Sequence, residues 1–283
     1  MKKSIKVQKI DLDTIGAGFL LGITREDEVQ VLRGNASEAD LADPEVICIE
    51  VGGSGRTSEN NWDHHDPNGP QRSATYQAWE ALGRQERYAR LVEYIEILDV
   101  QGPRALPEWG KTEGVERRFL SDVLSGLFLV ERNPMEQFHK GIEILREIVE
   151  RGYDPFGEIP GFDLYVEAKA ENTRQVAETI KNALLGTTQK GLKMASLESK
   201  FQGAVGALYG IGVQVAVVLN PDFNGVRKFT VAGNGIRIDA VAPILNQLEA
   251  GWGGPPTGTI LGSPREGSRL SLGEVAQIVR DNL

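Results

Sequence analysis

The segment NNWDHHDPNG, residues 60–69, sets Asp63, His64 and His65 in a row in a chain that has only three histidines. Carboxylates also stand at three other points where a regular run gives way to a turn: Asp11 and Asp13 after SIKVQKI, Glu50 at the end of VICIE, and Asp99 in ILDVQG. Carboxylates gathered without basic neighbours repel one another and take up protons, unless a divalent cation supplies the missing positive charge. Imidazole and carboxylate together suit Mn²⁺ and are compatible with Mg²⁺, Zn²⁺ or Co²⁺. Two such ions, about 3.5 to 4 Å apart in known sites, make a nucleophile from water and hold phosphoryl oxygens. Hydrolysis of a phosphoester or phosphoanhydride is therefore the chemistry that Asp11, Asp13, Glu50, His64 and Asp99 suggest as ligands. Each also has a plainer reading. Asp11 and Asp13 can cap a helix that begins near Thr14, the histidines can sit in a solvated turn, and Glu50 can mark an exposed strand end. Asp99 can close a helix, although a carboxylate there opposes the helix dipole.

The elements that must position these residues alternate along the chain. SIKVQKI has the period-two pattern of a strand and runs into DLDTIGAGFLLGI, read as a turn and helix, and PEVICIEVGG is a short β-branched strand ending in a Gly-Gly turn. Ser73 is placed to cap a helix that Gly83 closes, and ERYARLVEYIEILDVQGP has helical spacing up to Asp99, with Gly102 and Pro103 beyond. VERRFLSDVLSGLFLV, MEQFHKGIEILREIVERG and VEAKAENTRQVAETIKNALL read as successive amphipathic helices. After GTTQKG, strand candidates LKMASLES, VQVAVVLN and RKFTVAG alternate with helical FQGAVGALYG and IDAVAPILNQLE, and a short helix LGEVAQIV ends the chain. This order predicts an α/β fold with a largely parallel sheet in the N-terminal part, a linker near Gly186 to Gly191, and a smaller α/β C-terminal domain. Parallel sheets carry their sites beyond the carboxyl ends of their strands, where the residues above fall.

At 283 residues the chain has room for two domains, and its 40% hydrophobic and 25% charged composition is that of a folded protein. A net charge of −9 argues against duplex binding and favours small anions or short oligonucleotides. Cys48, the only cysteine, excludes an intramolecular disulfide and reads as a buried strand thiol. No apolar run approaches the ~20 residues needed to cross a bilayer, and MKKSIKVQKIDLD lacks the apolar core of a secretory signal, so a cytoplasmic protein without membrane contact is expected. His139 reads as a surface or interface residue, Trp62 and Trp252 as packing or base-stacking residues, and Arg265 and Arg269 as solvated or as phosphate clamps.

Four motifs together resemble a known family. DLDTIGAG (11–18), IEVGG (49–53), WDHHDP (62–67) and ILDVQG (97–102) are similar, in order, to the first four motifs of the DHH phosphoesterase superfamily, which includes RecJ-like exonucleases, nanoRNA-degrading oligoribonucleases, exopolyphosphatases and manganese pyrophosphatases. VGG followed by WDHH looks like a branch related to eukaryotic exonucleases of RNA precursors. The likeness covers about residues 8–102, and the tail GWGGPPTGTILGSPR loosely resembles the Gly-rich substrate motif of the DHH-associated domain. It implies a catalytic domain over 1–186 and a substrate-binding domain over 187–283, with substrate in the cleft between them. Asp11, Asp13, Glu50, His64 and Asp99 would be metal ligands, with His65 at the substrate phosphate and Asp63 orienting the imidazoles as the catalytic pair. Gly253, Gly254 and Arg265 would bind substrate. The implied cofactor is Mn²⁺, with Mg²⁺ or Co²⁺ as substitutes. The implied activity is that of an EC 3.1-class phosphohydrolase on small phosphorylated compounds or short oligonucleotides, and a homodimer is compatible with it. The chain departs from the family at Val7, where a histidine is usual, at Glu50, where an aspartate is usual, and at Pro255, where many members have histidine. The alternative is a non-catalytic DHH-fold protein that binds metal or nucleotide.

Overall fold

A computed structural model describes residues 2–32, 34–66, 68–102, 105–106, 119–223, 225–255 and 257–283. Pro67 of WDHHDP and Pro103, placed above beyond the helix that ends near Asp99, lie outside that set. The chain divides into two compact units, Met1–Lys169 and Ala170–Leu283.

The first unit runs β1 (Ser4–Val7), α1 (Leu12–Leu20), β2 (Glu28–Val31), α2 (Glu38–Leu41), β3 (Val46–Ile49), β4 (Asn61–Trp62), α3 (Ala74–Ala81), α4 (Glu86–Glu96), α5 (Leu120–Val130) and α6 (Pro134–Arg151). Its four strands lie in the order β2-β1-β3-β4, and every pairing is parallel. The strand period explains the burial. Ile47 and Ile49 of β3 join Ile5 and Val7 of β1 in the main core with α1, α3, α4 and α6, while Val46 and Cys48 face a smaller cluster with Leu41 of α2. Cys48 is a buried thiol whose pKa burial pushes up to about 11. His139, expected at the surface, is buried on α6 beside Phe138, and burial lowers its pKa. Trp62 and Trp252 are both core residues, which leaves neither ring face open for a base.

α7 (Asp163–Thr179) precedes β5 (Leu184–Thr187), β6 (Lys193–Glu198), α8 (Ala204–Gly210), β7 (Val215–Phe223), β8 (Val226–Gly233), α9 (Ala242–Leu248), β9 (Ile260–Gly262) and α10 (Leu272–Asn282). The second sheet has the order β5-β6-β7-β8-β9, with only β6 and β7 parallel. Along β7, Val215, Val217 and Leu219 enter one core with α10, and Ala216 and Val218 enter another with α8, so helices cover both faces. The Gly- and Thr-containing stretch read as a linker is the edge strand β5 and its turn, and the units part earlier, inside α7. A helix that passes from one unit to the next carries no break in composition, which is why the sequence places the boundary at 186. No described helix is long and apolar enough to cross a membrane.

One close approach sets how α1 meets its neighbours. A Cβ on Gly16 would collide with Thr75 of α3 and Ile95 of α4, so glycine lets the three helices draw together. Overpacking of this kind costs about 1 to 3 kcal/mol. Gly16→Ala is therefore expected to lower unfolding free energy by about that amount, read as a shifted urea midpoint at unchanged m. A midpoint equal to wild type would show that the helices are not packed this tightly.

Candidate active site

Because β1, β3 and β4 are adjacent and parallel, their carboxyl ends lie side by side, about 4.8 Å apart from strand to strand. Beyond β1 come Asp11 and Asp13, beyond β3 comes Glu50, and beyond β4 come Asp63, His64 and His65. Asp99 arrives from another direction. After Glu96, α4 widens into a π-turn over Ile97–Gln101, which carries Asp99 to the histidine loop.

Asp13 is 2% exposed, and its carboxylate accepts the backbone N–H of Ala74 and of Thr75, each at 2.8 Å, at the start of α3. Thr75 Oγ1 donates to the Asp13 carbonyl at 2.9 Å. Burial and then the charge of Asp99 push the Asp13 pKa up to about 6, against the hydrogen bonds from Thr75 and Ala74. Asp11 has a different neighbourhood: it is the N-cap of α1, accepting Thr14 N–H at 3.1 Å, and Lys9 Nζ lies 3.2 Å from its Oδ2.

Glu50 sits in the left-handed region at φ 58, one residue past the fully buried strand β3. A glutamate there costs on the order of 1 kcal/mol relative to glycine. The glycines Gly52 and Gly53, at φ 102 and 76, complete the turn. The Glu50 carboxylate is buried, its Oε1 has no hydrogen-bond donor, and burial followed by the charges of Asp13, Asp63, Asp11 and Asp99 pushes its pKa up to about 10. Asp63 is the opposite case. Burial works against its charge, but donors more than offset it: His65 N–H at 2.9 Å, Gly52 N–H at 3.0 Å and the Ser54 hydroxyl, with the His65 ring nearby, hold its pKa far below the usual range.

The imidazoles lie between these carboxylates. His64 Nε2 is 3.0 Å from Asp99 Oδ2, 3.7 Å from Glu50 Oε1 and 4.0 Å from Asp13 Oδ2, and the bond to Asp99 raises its pKa. His65 Nδ1 is 3.0 Å from Glu50 Oε2 and 3.5 Å from Asp63 Oδ2. Although Glu50 is nearer, the hydrogen bond with Asp63 is what chiefly raises the His65 pKa. The rings are 4.8 Å apart, with His65 the more exposed.

Two donor groups result, Glu50 with His64 and His65, and Asp13 with His64 and Asp99, and the ligand atoms of each lie within 4.8 Å of one another. His64 belongs to both. The acidic excess, the mixed oxygen and nitrogen donors and the orphaned Glu50 oxygen all fit a divalent cation. Asp11 is in neither group, and Val7 is fully buried in the core. Several buried or hydrogen-bonding groups near the site have no motif to announce them, namely Thr75, Ser54, Gln77, which donates to the Asp63 carbonyl at 3.1 Å, and Glu96, a carboxylate on the apolar face of α4. In sequence, only the acidic residue interrupting the apolar spacing of EYIEIL hints at the last.

In the second unit, Gly253 and Gly262 exchange both backbone hydrogen bonds, at 3.1 and 2.7 Å, and a Cβ on Gly254 would strike the Ile260 carbonyl. These glycines therefore fasten the tail to β9. Arg265 is exposed on the loop that follows. Arg269 lines a cavity of about 530 Å³ with Arg227, Glu249 and Glu266.

No family model and no curated relative matches the chain. Among solved structures it is similar to the pGpG-specific phosphodiesterase PggH from Vibrio cholerae, at 15% identity and a TM-score of 0.52 over 92% of each chain. The DHH domain of a member of a family of ribosomal proteins aligns at 12% identity and a TM-score of 0.40 over 92% of this chain and 82% of the other. An uncharacterised protein from Helicobacter pylori G27 aligns at 14% identity and a TM-score of 0.26 over 99% of both. The α/β architecture expected from the sequence is the one found, and the chain shares its fold with PggH.

Proposed function

We propose that this chain is a metal-dependent phosphohydrolase of the DHH type, acting on short oligonucleotides or small phosphorylated compounds. The observation that carries the reading is the convergence of Asp13, Glu50, His64, His65 and Asp99 beyond the parallel strands, with one buried Glu50 oxygen lacking any donor. Asp13, His64 and Asp99 would hold one divalent cation, with Glu50 on the His65 side of the shared His64. Such a cation, Mn²⁺ by donor type, supplies positive charge for the phosphoryl oxygens and for deprotonating water. His65, held through Nδ1 by Glu50 and Asp63, keeps Nε2 as the nitrogen that hydrogen-bonds a phosphoryl oxygen or passes a proton to the leaving group. Asp63 acts through His65 by fixing its ring. Gly253, Gly254 and Arg265 are the proposed substrate contacts of the second unit. PggH acts on pGpG, so guanine dinucleotides with a 5′ phosphate belong in the first substrate panel for this chain.

A second reading, a non-catalytic binding protein with the same fold, is favoured by one observation. Val7 lies in the core and Asp11 is taken up by Thr14 and Lys9, so the side of the site that the family completes with a histidine lacks those donors. Product release with Mn²⁺ separates the two. The wild-type chain is expected to cleave at least one of pGpG, longer RNA and DNA oligomers, 3′,5′-bisphosphoadenosine, pyrophosphate and polyphosphate; binding without release from any of them would select the second reading.

His64→Ala removes the donor common to both groups. Its Mn²⁺ affinity is expected to fall more than about 100-fold, beyond the loss that outer-shell substitutions cause, while the far-ultraviolet spectrum stays native. Unchanged calorimetric binding would remove His64 from the ligand set. Arg265→Ala is expected to raise KM by about 10- to 100-fold, matching about 1.5 to 3 kcal/mol for a charged hydrogen bond, without changing metal content. An unmoved KM would free Arg265 of a substrate role.

A further inference from the structure

Glu96 is a charged residue in an apolar setting. It is 7% exposed on α4, among the buried Leu91, Val92 and Ile95, and the chemistry above does not use it. Its Oε2 accepts the Ser73 N–H at 2.9 Å, and its Oε1 lies 3.0 Å from Nη1 of Arg72, whose guanidinium also stacks on Tyr76. Ser73 is the N-cap of α3. The next two N–H groups, of Ala74 and Thr75, go to Asp13, and that of Tyr76 goes to Ser73 Oγ at 3.2 Å. Four consecutive N–H groups at the start of this helix are therefore each taken by an acceptor of the chain, and two of those acceptors are buried carboxylates.

Glu96 also lies at the junction where α4 becomes the π-turn, three residues before Asp99. One side chain thus ties the helix start that grips Asp13 to the turn that carries Asp99, and these two carboxylates flank His64. A buried carboxylate costs several kcal/mol unless paired and hydrogen-bonded. Stability alone would favour an apolar residue here, so the fixed geometry is what the charge supplies. We propose that Glu96, with Arg72 as its counter-ion, is a positioning residue that sets the spacing of Asp13, His64 and Asp99 for a divalent cation, an inference that rests on the phosphohydrolase reading above.

The test is Mn²⁺ titration calorimetry on the full chain for wild type, Glu96→Ala, Glu96→Gln and Arg72→Ala, each paired with a urea melt. Leu145→Ala, a core truncation elsewhere in the same unit, is the control for general destabilisation. Glu96→Ala is expected to weaken Mn²⁺ binding about 10- to 100-fold, the range for outer-shell partners. Glu96→Gln keeps an acceptor for Ser73 N–H and is expected to lie nearer wild type than Glu96→Ala does. Leu145→Ala should lose stability and keep its affinity. Should Glu96→Ala not fold, Arg72→Ala, an exposed change, reports instead and is expected to weaken binding several-fold. A folded Glu96→Ala with wild-type affinity, or a Leu145→Ala that loses as much affinity, overturns the positioning role. A wild-type chain that takes up no Mn²⁺ overturns the metal reading together with it.

Discussion

The structure of the site depends on one interaction, the grip of two backbone N–H groups at the start of α3 on the Asp13 carboxylate. A helix N-terminus offers unpaired donors and a positive dipole end, and a carboxylate placed there is stabilised in its charged form. Here the carboxylate comes from a different element, so the contact does more than cap a helix. It fixes α3 against α1. Burial, followed by the charge of Asp99, still raises the Asp13 pKa to about 6, so these donors only partly offset the cost of burying the charge. The same helix start has no N–H left for an external anion, because Glu96 and Ser73 claim the remaining ones.

Around this contact the carboxylates divide by how well they are satisfied. Asp63 is saturated with donors and behaves as structure, holding the loop and the His65 ring. Glu50 has the His65 imidazole on one oxygen and no hydrogen-bond donor on the other, and it occupies a backbone conformation that glycine would adopt more cheaply. A chain that keeps a strained, buried and under-satisfied glutamate at the end of its central strand is retaining a group whose value lies outside folding. The proposed cation is the partner that its geometry and charge lack.

The first unit was legible in sequence because its signals are local. β-branched runs, the Gly-Gly turn after Glu50 and the Ser73 cap each report on a few neighbouring residues, and a parallel sheet then brings the strand ends together without further information. The sequence did not reveal which carboxylates would share a ligand. Asp11 and Asp13 are two residues apart and look equivalent, yet one points into its own helix cap and the other reaches α3, a difference decided by packing between segments about sixty residues apart. The partner of Glu96 was hidden for the same reason, since the N–H it accepts lies at the start of another helix. The division between the units escaped notice because it falls within a continuous helix, while the Gly-Thr stretch that drew attention is an edge strand.

The two aspartates of the first motif also explain how the chain tolerates Val7. Val7 pairs with Val31 and Ile49 across the sheet and is fully buried, so an imidazole at that position would enter an apolar layer and need a charge-bearing partner beside it. Asp11 is the nearest candidate by sequence, but its charge is already met by the Thr14 N–H and the Lys9 ammonium, the latter an exposed pair of small worth on its own. On this side of the site, then, acidic charge is balanced by the chain itself. On the other side, Asp13, Glu50 and Asp99 gather around His64, and Glu50 also meets His65. In the proposed centre His64 is the shared donor, and a cation held there with Asp13 and Asp99 would need no histidine from the first strand.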